Sequence, residues 1–203
     1  MEKPNNYDET QAGGDYTPVS LGGHKMVIKH VNEITSSTGK PMIVVLFDFD
    51  SADEQAGYFM EQFKNDIRPE KKYPNQATQY ILVNDSDGKT SKSFKTFTTC
   101  VEHSNTGFET QWGIKDWGKQ FIGKKIGGVF GEQMDFYNGK VLKKRVLRWF
   151  TSYDKALDAD IPAISETRQY KERDTSADMP SNDNGFLPIP DGISEDLPFN
   201  TSH

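Results

Sequence analysis

The sequence predicts a mainly β domain: five strands in a Greek-key barrel, one helix between the third and fourth, then a disordered acidic C-terminal tail. Three observations carry this. Apolar residues recur in short runs divided by clusters of Gly, Asn, Asp and Ser, the pattern of strands and turns. A single stretch, opening at Thr90 or Ser91, switches to helical spacing. The last thirty residues, 174–203, hold six acids and no lysine or arginine, and are too poor in branched apolar residues to offset the entropy of ordering.

The elements follow in order. Residues 1–20 are polar, with Gly13-Gly14 and Pro18, and read as a flexible lead-in. Residues 24–34 and 41–50 are two strands around Thr35-Ser36-Ser37-Thr38-Gly39, a hairpin signal. Met26, Val27, Ile28 and Val31 interleave with Lys25, Lys29 and Glu33, while residues 42–49 are almost continuously apolar, as in a more buried strand. Residues 57–63 read equally as a short helix or a strand, and 65–76 as a charged excursion. Residues 79–83 form a short strand ending in the turn Asn84-Asp85-Ser86-Asp87-Gly88. Phe94, Phe97 and Val101 mark one face of the helix, and Asn105-Thr106-Gly107 ends it. Trp112 and Trp117, in the connector that follows, read as core or lid residues. Residues 126–137 and 140–153 are a long hairpin closed by Asn138-Gly139, the dipeptide of a type I′ turn. Gly127-Gly128 in its first strand predicts a bulge or bend.

Three strands, a helix and two strands is the plan of the OB-fold. The domain is placed at residues 21–157, between the lead-in 1–20 and a tail 158–203. Hydrophobic content of 34% still supports a modest core, and the single cysteine, Cys100, excludes an internal disulfide framework and a multi-cysteine zinc site. No window approaches eighteen continuous apolar residues and the polar start lacks a signal sequence, so a cytoplasmic protein without a membrane partner is expected.

Charge, once divided, points to a ligand. The chain carries −6 overall, but residues 156–203 hold three basic groups against ten acids. Residues 115–155 hold ten basic groups against four acids, a basic third masked by an acidic tail. A groove for single-stranded nucleic acid needs cations along phosphates and flat rings under bases. The fifth strand interleaves both: Lys140, Lys143, Lys144, Arg145 and Arg148 with Trp149 and Tyr153. Tyr137 faces it, Lys124 and Lys125 lie on the approach, and Lys25, Lys29 and Lys40 surround the first hairpin. Trp149 and Phe150 are adjacent and point to opposite faces, and alternation leaves open which is core.

Ser194-Glu195-Asp196-Leu197-Pro198-Phe199 resembles the C-terminal tip of bacterial single-stranded-DNA-binding proteins, in which acids precede an apolar residue, Pro and Phe. Here Asn200-Thr201-Ser202-His203 follows the Phe. The body resembles the phage-borne family of short OB-fold proteins that bind single-stranded DNA. The matching residues are Gly39-Lys40-Pro41-Met42, Ser91-Lys92-Ser93-Phe94-Lys95, Phe121-Ile122-Gly123-Lys124-Lys125-Ile126-Gly127 and Leu147-Arg148-Trp149-Phe150. The resemblance implies sequence-tolerant binding of single-stranded DNA in replication or recombination. It also implies a tail that recruits proteins of those processes through Glu195, Asp196, Leu197, Pro198 and Phe199. A homo-oligomer stays open.

Two other function classes fit parts of the sequence. One is a partner-binding module whose barrel is a scaffold without DNA binding. The other is a metal-dependent nuclease using Asp48 and Asp50 or Asp85 and Asp87. Both acid pairs sit at strand ends or in turns, where Asp is an ordinary choice, so no enzyme, metal or cofactor is expected.

Overall fold

The computed structural model describes residue 3 and residues 17–176. The strands are β1 (Gly22–Thr35), β2 (Pro41–Phe49), β3 (Thr78–Leu82), β4 (Lys125–Tyr137), β5 (Lys140–Thr151) and the two-residue β6 (Ser165–Glu166). The helices are α1 (Tyr58–Lys64), α2 (Lys92–Ser104) and α3 (Arg168–Ser176). All five main strands join one sheet in the order β3-β2-β1-β4-β5, each neighbouring pair antiparallel, while β6 lies parallel to β4.

β1 is the hub. Residues 22–27 pair with β4 and residues 26–35 pair with β2, with a bulge between Ile28 and His30 bending the strand between its two partners. Its inward residues Met26 and Ile28 meet Phe47, Phe59, Phe97, Phe121 and Phe130, all fully buried. Each such ring contributes about 1.5–3 kcal/mol by leaving water. α2 covers one side of this core through Phe94, Phe97 and Val101, the spacing that predicted it. Its start is fixed by Ser91, whose Oγ accepts the Phe94 N–H at 3.2 Å. At the far hairpin, Asn138 and Gly139 take φ of 49° and 74°, as a type I′ turn requires.

The sheet is not closed into the expected barrel. β3 and β5 are its two ends, joined by no ladder among the described residues. β3 is only five residues long, and beside it Ser91 takes the carbonyls of Leu82 and Val83. Gln76 Nε2 donates to the Arg145 carbonyl at 2.8 Å and bridges the ends at one point.

Three further expectations change. Val19 is fully buried and Ser20 is hydrogen-bonded to Gln55, so ordered packing begins within the segment read as lead-in. Beyond residue 157, where the sequence reading began the tail, the chain still forms β6 and α3. Gly127 and Gly128 do not form the bulge, which lies between Val129 and Phe130. These glycines instead permit close approach. A Cβ on Gly127 would press on Ser152 and Ala156, and one on Gly128 on Met26 and Leu147. Gly23 and Gly131 likewise admit Ala156 and Pro162. The segment after β5 therefore roofs the outer side of β4, and Val129 beneath it is fully buried.

Candidate nucleic-acid interface

With β4 roofed, the open outer face of the sheet belongs to β1, β2 and β3. On β1, Lys25, Val27 and Lys29 alternate with the inward Met26 and Ile28. Val27 lies between Asp48 of β2 and Lys125 of β4. Past the bulge His30 faces Leu46, Asn32 faces Val44 and Ile34 faces Met42, and across β2 Val44 and Met42 face Tyr80 and Leu82. A sheet face turned to water usually carries polar residues. This one carries Val27, Leu46, Val44, Met42 and Leu82, with Tyr80 61% exposed.

Lysines border it. The Lys25 and Lys125 ammoniums stand 5.2 and 4.8 Å from the centre of the Tyr153 ring, and Lys124 stands 4.6 Å from that of Phe108. Tyr153 is buried beneath its two cations and is no stacking platform. Its hydroxyl donates to Asp50 Oδ1 at 2.7 Å; burial and that carboxylate push the phenol up to about 12. Burial raises the Asp50 carboxyl, but the Tyr153 and Ala52 hydrogen bonds and the Lys125 charge outweigh it and hold Asp50 below its ordinary value. Lys40 stands at the β1–β2 turn, its N–H donating to Ser36 Oγ at 3.0 Å. Among the described residues, Lys25, Lys29, Lys40, Lys124, Lys125 and Lys140 form no ion pair.

The β5 cations are placed differently. Lys143 pairs with Glu132 at 2.7 Å and Lys144 with Asp135 at 2.6 Å. Arg145 donates to the Val19 carbonyl, and Arg148 to that of Ala163 at 3.1 Å. Much of the basic charge counted on this strand is spent inside the molecule. Tyr137 and Lys140 are exposed at the hairpin tip. Trp149 is 45% exposed and Phe150 only 7%, its ring set against Phe47 and Phe97 in the core. Trp149 lines a cleft of about 530 Å³ between the ends of the sheet, with Tyr80, Arg148 and Lys92 also on its walls.

Tyr80 and Lys92 were missed as site residues. Tyr80 was legible, since Gln79-Tyr80-Ile81-Leu82 sets it opposite the apolar Ile81; Lys92 opens α2, within the segment Ser91-Lys92-Ser93-Phe94-Lys95 that carries the family resemblance. The tail residues Glu195, Asp196, Leu197, Pro198 and Phe199 lie outside the described residues.

The acids proposed for a nuclease are engaged in backbone contacts. Asp48 is buried and accepts the N–H groups of Phe49 and Phe59 at 2.9 and 3.0 Å; burial raises its carboxyl despite them. Asp85 accepts from Asp87 and Lys89 within its own turn. Among the described residues, no three His, Cys, Asp or Glu are grouped to hold a metal ion.

A buried polar network surrounds His24. His24 Nδ1 lies 3.1 Å from Asp53 Oδ1, and its Nε2 lies 3.1 Å from Ser20 Oγ. The order of hydroxyl, imidazole and carboxylate matches a nucleophilic triad. The Ser20 hydroxyl, however, donates to Gln55 Oε1 at 3.0 Å, and His24 is stacked on Phe49 with ring centres 4.2 Å apart. The network is an anchor tying residues 18–20 to β1 and to the loop after β2. Burial raises the Asp53 carboxyl, but hydrogen bonds from His24 and from the Gln55 and Lys25 N–H groups hold it below its ordinary value. Its stabilising effect is therefore full above the unfolded value of about 3.9 and fades as pH falls through the lower folded value. Asp53→Ala is expected to cost about 3 kcal/mol at neutral pH by orphaning buried donors. Urea unfolding at pH 7 and near pH 3 checks this; an equal loss at both would remove the ionised carboxylate from the account.

No protein-family model matches this chain, and no curated protein matches it. Among the described residues no helix is long and apolar enough to cross a membrane.

Proposed function

We propose that this chain binds single-stranded DNA with little sequence preference, as an OB-fold-type protein of phage origin acting in replication or recombination. The observation that carries the reading is the outer face of β1, β2 and β3, where apolar side chains and Tyr80 lie beside Lys25, Lys29 and Lys125. Bases have apolar faces and strands have phosphates, so an apolar sheet bordered by cations without ion pairs suits both at once. The strand order, with a helix between the third and fourth strands, supports the OB-fold plan despite the open seam. In this reading the acidic tail competes with DNA for the lysines and recruits partner proteins through its Leu-Pro-Phe tip.

A second reading has one observation in its favour. Trp112, 64% exposed, stacks on the buried Trp117 at 5.6 Å between ring centres, beside an apolar groove that Phe94 also lines. An exposed tryptophan at such a groove suits a protein partner.

Titration of single- and double-stranded oligonucleotides at two salt concentrations separates these. Single-strand affinity is expected to fall with a log–log slope of about −0.7 per phosphate contacted. Absence of binding to an oligo-dT of about thirty nucleotides at low salt sinks the DNA reading and leaves the partner module.

A further inference from the structure

We infer that the seam between β3 and β5 is a slot for one unstacked base of the bound strand, with Tyr80 and Trp149 on its walls. This rests on the single-strand reading and adds a place and a mode of contact to it. The sheet stops at both strands, and the cleft of about 530 Å³ between them opens beside the outer face, because Tyr80 belongs to both surfaces. A strand crossing β1 and β2 toward β3 runs directly to it.

The chemistry of the walls fits a nucleobase better than an apolar ligand. Tyr80 and Trp149 are the exposed aromatic rings among the lining residues, 61% and 45% exposed. Gln79 and Asn84 bring side-chain amides, each both donor and acceptor, as the edge of a base demands. Lys92 stands at the wall formed by α2, a position suited to a phosphate flanking the inserted base. The start of α2 also lines the slot, through Lys92, Ser93 and Thr96.

Oligonucleotides carrying 5-iododeoxyuridine, irradiated with the full-length protein and mapped by mass spectrometry, test the placement. Crosslinks at Tyr80 or Trp149 are expected. Tyr80→Ala and Trp149→Ala are each expected to weaken binding about tenfold with an unchanged salt slope, since a ring and not a charge is lost. Trp149→Phe should restore most of that loss. Thermal melts run beside the titrations, and the Phe variant keeps the test valid if the Ala variant folds poorly. Wild-type affinity in all three variants, with crosslinks confined elsewhere, overturns the slot and leaves single-strand binding standing. If the wild type binds no single strand, both fall together.

Discussion

Replacing Lys25, Lys29 and Lys125 together by Gln is expected to weaken single-strand binding about a hundredfold at low salt and to flatten the salt dependence by about 2 in log–log slope. The three project from the same outer face, and none is held in an ion pair among the described residues. Neutralisation is the cleaner change here, because Asp48 and Asp50 lie close enough to Lys29 and Lys125 to be repelled by a new carboxylate. The lost cation–π contacts with Tyr153 amount to about 0.5–1 kcal/mol each, so the fold should survive. Lys143→Gln and Lys144→Gln should act more weakly, since Glu132 and Asp135 already hold those ammoniums. Fluorescence anisotropy on the triple variant and the two single variants ranks them. If the β5 changes dominate and the triple change is silent, the strand follows the hairpin arm instead.

Gly23→Ala is expected to be the most damaging small substitution. An added methyl would overlap the Ala156 carbonyl, and β1 cannot yield there because Gly23 is paired with Val129 of β4. The segment after β5 must lift, uncovering Val129, Tyr153 and Ala156. A cost of about 3 kcal/mol or more follows, or a fall in melting temperature of about 10 °C. Lifting the segment also frees Tyr153, so its phenol should titrate closer to the ordinary value of about 10 than to about 12. A melting point within a degree or two of wild type, with Tyr153 unmoved, would show that the roof is not packed as described.

The strands and α2 were legible because local chemistry and tertiary packing agree in them. Asn138-Gly139 fixes its turn through backbone conformation alone, and Phe94, Phe97 and Val101 bury the face their spacing predicts. Trp149 and Phe150 were not legible, for an identifiable reason. Strict alternation would set Leu147 and Phe150 on opposite faces, yet the irregularity that pairs Val129 with Trp149 and Phe130 with Leu147 turns both inward. One extra residue in a strand changes the faces beyond it, and composition does not record it. The interface was half legible. Lysines can be counted along a chain, but their partners Glu132 and Asp135 come from the opposite strand at diagonal positions, so charge on β5 looked freer than it is. The roof over β4 was invisible because its signal lies in the glycines it passes, which read equally well as bends.

The unjoined ends of the sheet bear on how the molecule behaves in company with its own copies. A free strand edge is a template for pairing with another chain, and an open sheet presents two. β3 offers only five residues, preceded by Pro74 and its short turn, too little for a stable foreign ladder. β5 offers twelve, but Lys140, Lys143, Lys144, Arg145 and Arg148 are spaced along it. Two molecules meeting edge to edge along β5 would bring the basic residues of 140–148 together, with Lys143 and Lys144 offset by Glu132 and Asp135. The same side chains that suggest a DNA contact thus also make this edge a poor template for pairing with another copy.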